Sequence, residues 1–176
     1  MWTWAPVMIR ASLALRGDKP AWAEVASFAV IGSGALGCVL AGLLADRVGR
    51  TVVTSAAMTI SGSCCLAIGF MFGANPVLLL LIAVVWGASV VADSAQFSGC
   101  VTELGDPRYI GTALTIQMCL GFLLTTISIE LVPRAVNLIG WRYAFMILAP
   151  GPFLGVWAML RLRGLPEALK IAQGRR

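Results

Sequence analysis

Long apolar runs, each cut by a short polar or Gly/Pro-containing stretch, set the pattern of this chain. A bilayer crossing takes about 20 consecutive apolar residues in a helix, and the runs at 21–45, 51–72, 76–101, 109–132 and 141–160 reach that length. The breakers between them are turn chemistry. Asp46–Arg50 closes the first run, and Gly73-Ala74-Asn75-Pro76 separates the second from the third. "TELGDPR" at 102–108 precedes the fourth, and "PRAVNLIG" at 133–140 reads as an interfacial loop before the fifth. Residues 1–15 are apolar but too short to span, so they read as a partial span, the tail of a helix whose beginning is missing. Residues 161–176 read as a basic tail. The predicted fold class is all-α: a polytopic membrane helical bundle in one unit, covering 1–176 without a linker.

Composition sharpens that reading. Hydrophobic residues make up 59% of the 176 and charged residues 12%, against roughly 45–50% and 25% in soluble domains. So few charges cannot cover a water-facing surface, and a soluble fold would expose large apolar patches. The net charge of +5 does not form a basic face with interleaved aromatics, so no nucleic-acid partner is expected. The cations sit in connections instead. One set of ends carries Arg47, Arg50, Arg108, Arg161, Arg163, Lys170, Arg175 and Arg176; the other carries Arg16, Lys19, Arg134 and Arg142. By the positive-inside rule the richer set is cytoplasmic, which places the C-terminus inside the cell membrane. Membrane lipids are then the chain's surroundings.

Several chemistries are excluded. There is no His, and the five cysteines (Cys38, Cys64, Cys65, Cys100 and Cys119) form no C-x-x-C pair. Neither a metal site nor a Cys/His nucleophile is expected, and the cysteines read as small packing residues. No cofactor is implied. With few acids inside the runs, no catalytic constellation appears, so the chain does not read as an enzyme.

Gly32-x-Gly34-x-x-Gly37 matches the glycine fingerprint of a dinucleotide turn. That site needs an acid about 20 residues on, where this chain has "VVTSAAMTIS". The glycines serve a membrane helix better. Ser33, Gly37, Ala41 and Ala45 recur every four residues, with Gly34, Cys38 and Gly42 beside them. Such small faces let helix backbones approach closely in lipid.

The polar turn carries the more specific signal. Gly42-x-x-x-Asp46-Arg47-x-Gly49-Arg50 joins two spans through a very short connection. Gly49 can take positive φ to reverse the chain, and Asp46 stands where a helix N-terminus would attract it. This loop resembles the signature loop of the major facilitator superfamily, with Thr51 where that family usually has a further basic residue. "ADSAQFSGCVTELGDPRYIGTALTIQMCLGFLLT" is similar to the tenth and eleventh helices of such transporters. The resemblance implies that the spans are the eighth to twelfth helices of a twelve-helix fold, with 1–15 the end of the seventh. It covers only the C-terminal half, so an N-terminal six-helix half is missing or supplied by a partner chain. It also implies transport of a small-molecule substrate by alternating access, the site lying between halves. A non-transporting subunit or scaffold that packs against a separate half is the other reading, as is a non-functional truncated product.

The resemblance assigns gating to Gly42, Asp46, Arg47, Gly49 and Arg50. Asp46 would hold one end shut against the next helix N-terminus near 109–112, while Arg47 and Arg50 pair with Glu103 or Asp106. Asp93 is the ionisable residue deepest in a span, about nine residues or roughly 13 Å from its end. A charge at that depth faces a cavity or a partner. Gln117 lies at matching depth on the next span, Gln96 is nearly one turn from Asp93, and Trp86 lies too deep for an interfacial belt. Asp93, Gln96, Gln117 and Trp86 are the candidates for a substrate or proton pathway. Glu24 and Glu130, like Trp2, Trp4, Trp22 and Trp141, fit the interface. The second and fifth spans have no ionisable residue inside them and read as lipid-facing.

Overall fold

The computed structural model describes residues 1–17 and 20–174, and every regular element in them is helical. Lys19, Arg175 and Arg176 of the charge pattern lie outside the described residues. The elements are α1 (Ala5–Ala14), α2 (Pro20–Val48), α3 (Arg50–Ala67), α4 (Pro76–Leu104), α5 (Ile110–Ile139), α6 (Trp141–Ala144) and α7 (Pro150–Arg163). Short 3₁₀ segments extend α3 (Ile68–Met71), join α6 to α7 (Phe145–Leu148) and follow α7 (Pro166–Gly174). Five of these units are long and apolar enough to cross a membrane, from Ala21–Val48 to Trp141–Arg163. They match the five runs read from the sequence.

The punctuation acts as turn chemistry requires. Gly49 reverses the chain between α2 and α3 at φ 109°, a conformation costly for any residue with a Cβ. Asn75 caps α4 by accepting from the backbone N–H groups of Val77 and Leu78, with Pro76 in the first turn. Gly140 ends α5 at φ 75°.

The loop expected at 133–140 is overturned. Residues 133–140 are not a loop: α5 runs unbroken through Pro133 to Ile139. A proline removes the N–H that would bond the carbonyl four residues back, here that of Ile129. The Trp4 indole fills the gap, its Nε1–H donating to the Ile129 oxygen at 2.9 Å. Trp4 is thereby tied to the bundle rather than only lying in an interfacial belt.

The end regions differ from expectation too. α1 is a core element, with Ala5, Met8 and Ile9 buried in the main cluster beside Trp86, Leu79 and Phe145. Its flank secures the α3–α4 turn: Ser12 Oγ accepts from Gly73 N at 2.9 Å, and Arg16 donates to the Ala74 carbonyl. The tail after Arg163 is not loose, because Pro166–Gly174 folds back with Ala168 and Ile171 buried against Met58, Cys100 and Met159.

α4 is the axis of the bundle, packed by α2 on one side and α3 on another, with α7 against α3. The α2–α4 crossing uses the small residues. A Cβ on Gly37 would overlap the Ala88 backbone, one on Gly87 would overlap the Val30 carbonyl, and one on Gly34 would come 2.6 Å from Val91 Cγ2. Ser33 Oγ reaches the Val84 carbonyl at 2.9 Å and Cys38 Sγ the Val91 carbonyl at 3.4 Å. Gly42 has open space at its Cβ and lies outside this contact. α3 is the most enclosed span rather than mainly lipid-facing. Its hydroxyls at Thr54, Ser55, Thr59 and Ser63 bond carbonyls four residues back, so these hydroxyl hydrogens are not stranded in an apolar setting.

Candidate functional site

Two polar constellations interrupt the apolar bundle. The first joins the start of α3, the end of α4 and the C-terminal segment. Arg50 donates through Nε to both oxygens of Glu103 at 3.0 and 3.1 Å, and Nη2 lies 3.0 Å from Oε1. Its Nη1 donates to Gln96 Oε1 at 3.1 Å. Glu103 Oε2 also accepts from the Ala172 backbone N–H at 2.9 Å. The guanidinium lies over Gly99, where a Cβ would stand 3.0 Å from Nη1. A Cβ at 99 would be in tight contact with the guanidinium, which would have to give by a few tenths of an ångström.

The electrostatics explain why the pair is made. Arg50 is the first residue of α3 and Glu103 is next to last in α4. Each therefore carries the charge its own helix dipole disfavours. Pairing them cancels both mismatches, and fork-like donation suits a carboxylate. Of the two acids expected for the arginines, Glu103 takes Arg50. Asp106 instead accepts from the Arg108 N–H and pairs with the Arg108 side chain, all at an exposed turn. Asp46 and Arg47 are exposed at the end of α2. Gln96 is buried and turned to Arg50, so it belongs to this clamp rather than to the face of Asp93.

The second constellation lies between α4 and α5. Ser94 Oγ donates to Asp93 Oδ1 at 3.1 Å, Ser98 Oγ donates to the Ser94 carbonyl at 3.4 Å, and Gln117 Nε2 donates to Ser98 Oγ at 3.4 Å. Asp93 and Gln117 thus stand at two ends of one polar ladder, linked by serines rather than in direct contact. Asp93 is half-buried and Ser94 is exposed, so the ladder reaches the surface of the bundle at Ser94. Gln117 Oε1 is buried with no bonding partner among the described residues, leaving an acceptor ready for a donor. Trp86 is buried, and its Nε1–H has no bonding partner among the described residues. It is packed edge-on to Phe145 with centroids 5.1 Å apart, in the middle of the core.

Sequence reasoning missed Ser94, Ser98 and Ala172. The serines had a signal: hydroxyls four apart beside Asp93 share one helix edge. Ala172 had none, since its part is played by a backbone N–H. Among the described residues no group of His, Cys, Asp and Glu is arranged to hold a metal.

No protein-family model matches the chain, no curated protein resembles it significantly, and no solved structure does so either.

Proposed function

We propose that this chain is the C-terminal half of a major-facilitator-type secondary transporter that moves a small solute across the cell membrane. The observation that carries this reading is the 42–50 turn. Two antiparallel spans meet there through Gly49 at positive φ, and Arg50 is clamped to Glu103 and Gln96 on a third. A turn needed only for topology would have no use for a buried glutamine across the bundle. In this reading the clamp holds one end of the half together while the half rocks as a body, and that end faces the cytoplasm. Asp93, Ser94, Ser98 and Gln117 form the polar lining, with Asp93 as the proton carrier.

The test is solute-driven proton movement in inverted vesicles, using a pH-sensitive dye and a panel of sugars, amino acids, organic acids and lipophilic cations. The chain is assayed alone and joined to a six-helix half. At least one solute should move protons, Asp93→Asn should abolish the proton signal, and Asp46→Asn should slow it about tenfold, the scale of one lost gating contact. Protein that reaches the membrane yet moves no solute in either form sinks the transport reading.

A scaffold role has one observation in its favour. None of the most apolar stretch of α5 is buried within the bundle, so a partner could cover it. Recovery of a stable complex with another membrane chain, with no flux from that complex, would favour the scaffold.

A further inference from the structure

The outer face of α7 carries a feature that neither the clamp nor the ladder uses. Pro150, Phe153, Leu154 and Trp157 line a shallow apolar hollow on one face of α7, open to its surroundings. Leu154 and Trp157 are largely exposed among the described residues. One turn further along, the Arg161 guanidinium lies 5.5 Å from the centre of the Trp157 ring. The cation is thus held against an aromatic face at the end of a spanning unit, where a membrane meets water.

The order along the helix is apolar hollow, indole, guanidinium. The rise from Phe153 to Arg161 is about 12 Å at 1.5 Å per residue. A phospholipid has the same order, with acyl chain, glycerol and phosphate along its length. We infer that this face of α7 is a seat for an anionic phospholipid. One acyl chain lies in the hollow, the glycerol region rests on Trp157, and the phosphate meets Arg161.

The charge at this end selects the headgroup. Arg50 is spent on Glu103 and Arg108 pairs with Asp106. Arg161 itself lies in the last turn of α7, whose residues Leu160, Arg161, Leu162 and Arg163 include no acid. A headgroup that carries its own cation, such as phosphocholine, gains less there than phosphatidylglycerol. The inference rests on the membrane placement of α7 and not on transport.

The test is native mass spectrometry of the full chain purified in detergent, titrated with phosphatidylglycerol or phosphatidylcholine of identical acyl chains. Wild type should retain phosphatidylglycerol about fivefold better, the effect of one well-placed cation at an anionic surface. Arg161→Gln should abolish that preference. Leu154→Trp, which fills the hollow, should lower retention of both lipids. Arg10→Gln, at an exposed site on α1, removes one charge elsewhere and should leave the preference intact. An unchanged preference in Arg161→Gln, or an equal loss in Arg10→Gln, overturns the seat. Protein that is soluble without detergent would overturn the membrane placement itself, a different failure from detergent-dependent protein with no lipid preference.

Discussion

At the scale of single residues, the clamp is a small interaction with unequal parts. The Arg50 and Glu103 side chains keep 21% and 27% of their surface in contact with solvent, so their attraction is partly screened, and an exposed pair is worth about 1 kcal/mol or less. Gln96 is different: at 2% exposure its oxygen has no water to turn to, and an unmet buried acceptor costs about 1–3 kcal/mol. Arg50→Ala should therefore destabilise the folded protein more than Glu103→Gln, which keeps an acceptor for Arg50 and Ala172. The difference is expected to be about 1 kcal/mol, read as a shift in unfolding midpoint in mixed detergent micelles. An equal shift for both would mean that Gln96 contributes nothing. The Trp4–Ile129 bond makes a sharper prediction at the same scale. Trp4→Phe should cost about 1 kcal/mol by leaving the Ile129 carbonyl unpaired. In a Pro133→Ala background that cost should shrink, because the substituted alanine supplies the N–H that proline lacks. A double-mutant cycle measures the coupling, and a zero coupling energy would refute the link between Trp4 and Pro133.

At the scale of elements, the α2–α4 crossing is the contact most sensitive to volume. The Gly37 and Ala88 backbones are close enough that a β-carbon on Gly37 has no room, and both walls of that gap are helical backbone. Gly37→Ala should force the helices apart, at about 1–3 kcal/mol. Gly32→Ala, on the same helix but with open space around it, should be neutral or slightly stabilising, since alanine holds a helix better than glycine. Thermal unfolding of the two variants side by side checks this; equal behaviour would mean that the close approach does not hold in the membrane. The same crossing shows how far the sequence could be read. The stripe of Ser33, Gly37, Ala41 and Ala45 announced a packing face, and that face meets α4. It did not name α4 as its partner, because small residues fit any helix that comes near. The loop expected at 133–140 failed for the complementary reason. Pro133 looks like a breaker in one dimension, and its lost hydrogen bond is replaced from Trp4, far away in the chain.

At the scale of the whole molecule, the bundle is lopsided. α1, α2, α3, α4 and α7 share packed faces, whereas α5 leans on α4 and α6 and leaves Phe122 69% exposed. The cysteines report this difference. Cys64, Cys65 and Cys100 are buried, and Cys119 on α5 is exposed. In detergent at pH 8, which admits water to this face of α5, a maleimide should therefore modify Cys119 well ahead of these three, by about tenfold or more in rate, as expected when reaction at the buried thiols needs local opening of a few kcal/mol. If a second six-helix half packs on α5, joining it to this chain should slow Cys119 labelling by a comparable factor. Labelling that stays fast in an assembled complex would place the interface elsewhere.

How many stretches of the chain are long and apolar enough to cross a bilayer, and where the turns at Gly49 and Asn75 fall, were written in the order of its residues. Those properties depend on groups near one another in the chain: apolar length, glycine at positive φ, proline after an asparagine cap. Which polar groups meet is a matter of packing. Arg50 could have taken Glu103 or Asp106, and Gln96 could have turned to Asp93. The choice fell to Glu103 and Gln96 because α3 lies beside that face of α4. Burial of the C-terminal segment on α4, the Trp4 bond to α5 and the serine steps between Asp93 and Gln117 follow from the same arrangement. Each depends on how one helix or segment is set against another, and the one-dimensional pattern carries no record of which helix stands beside which.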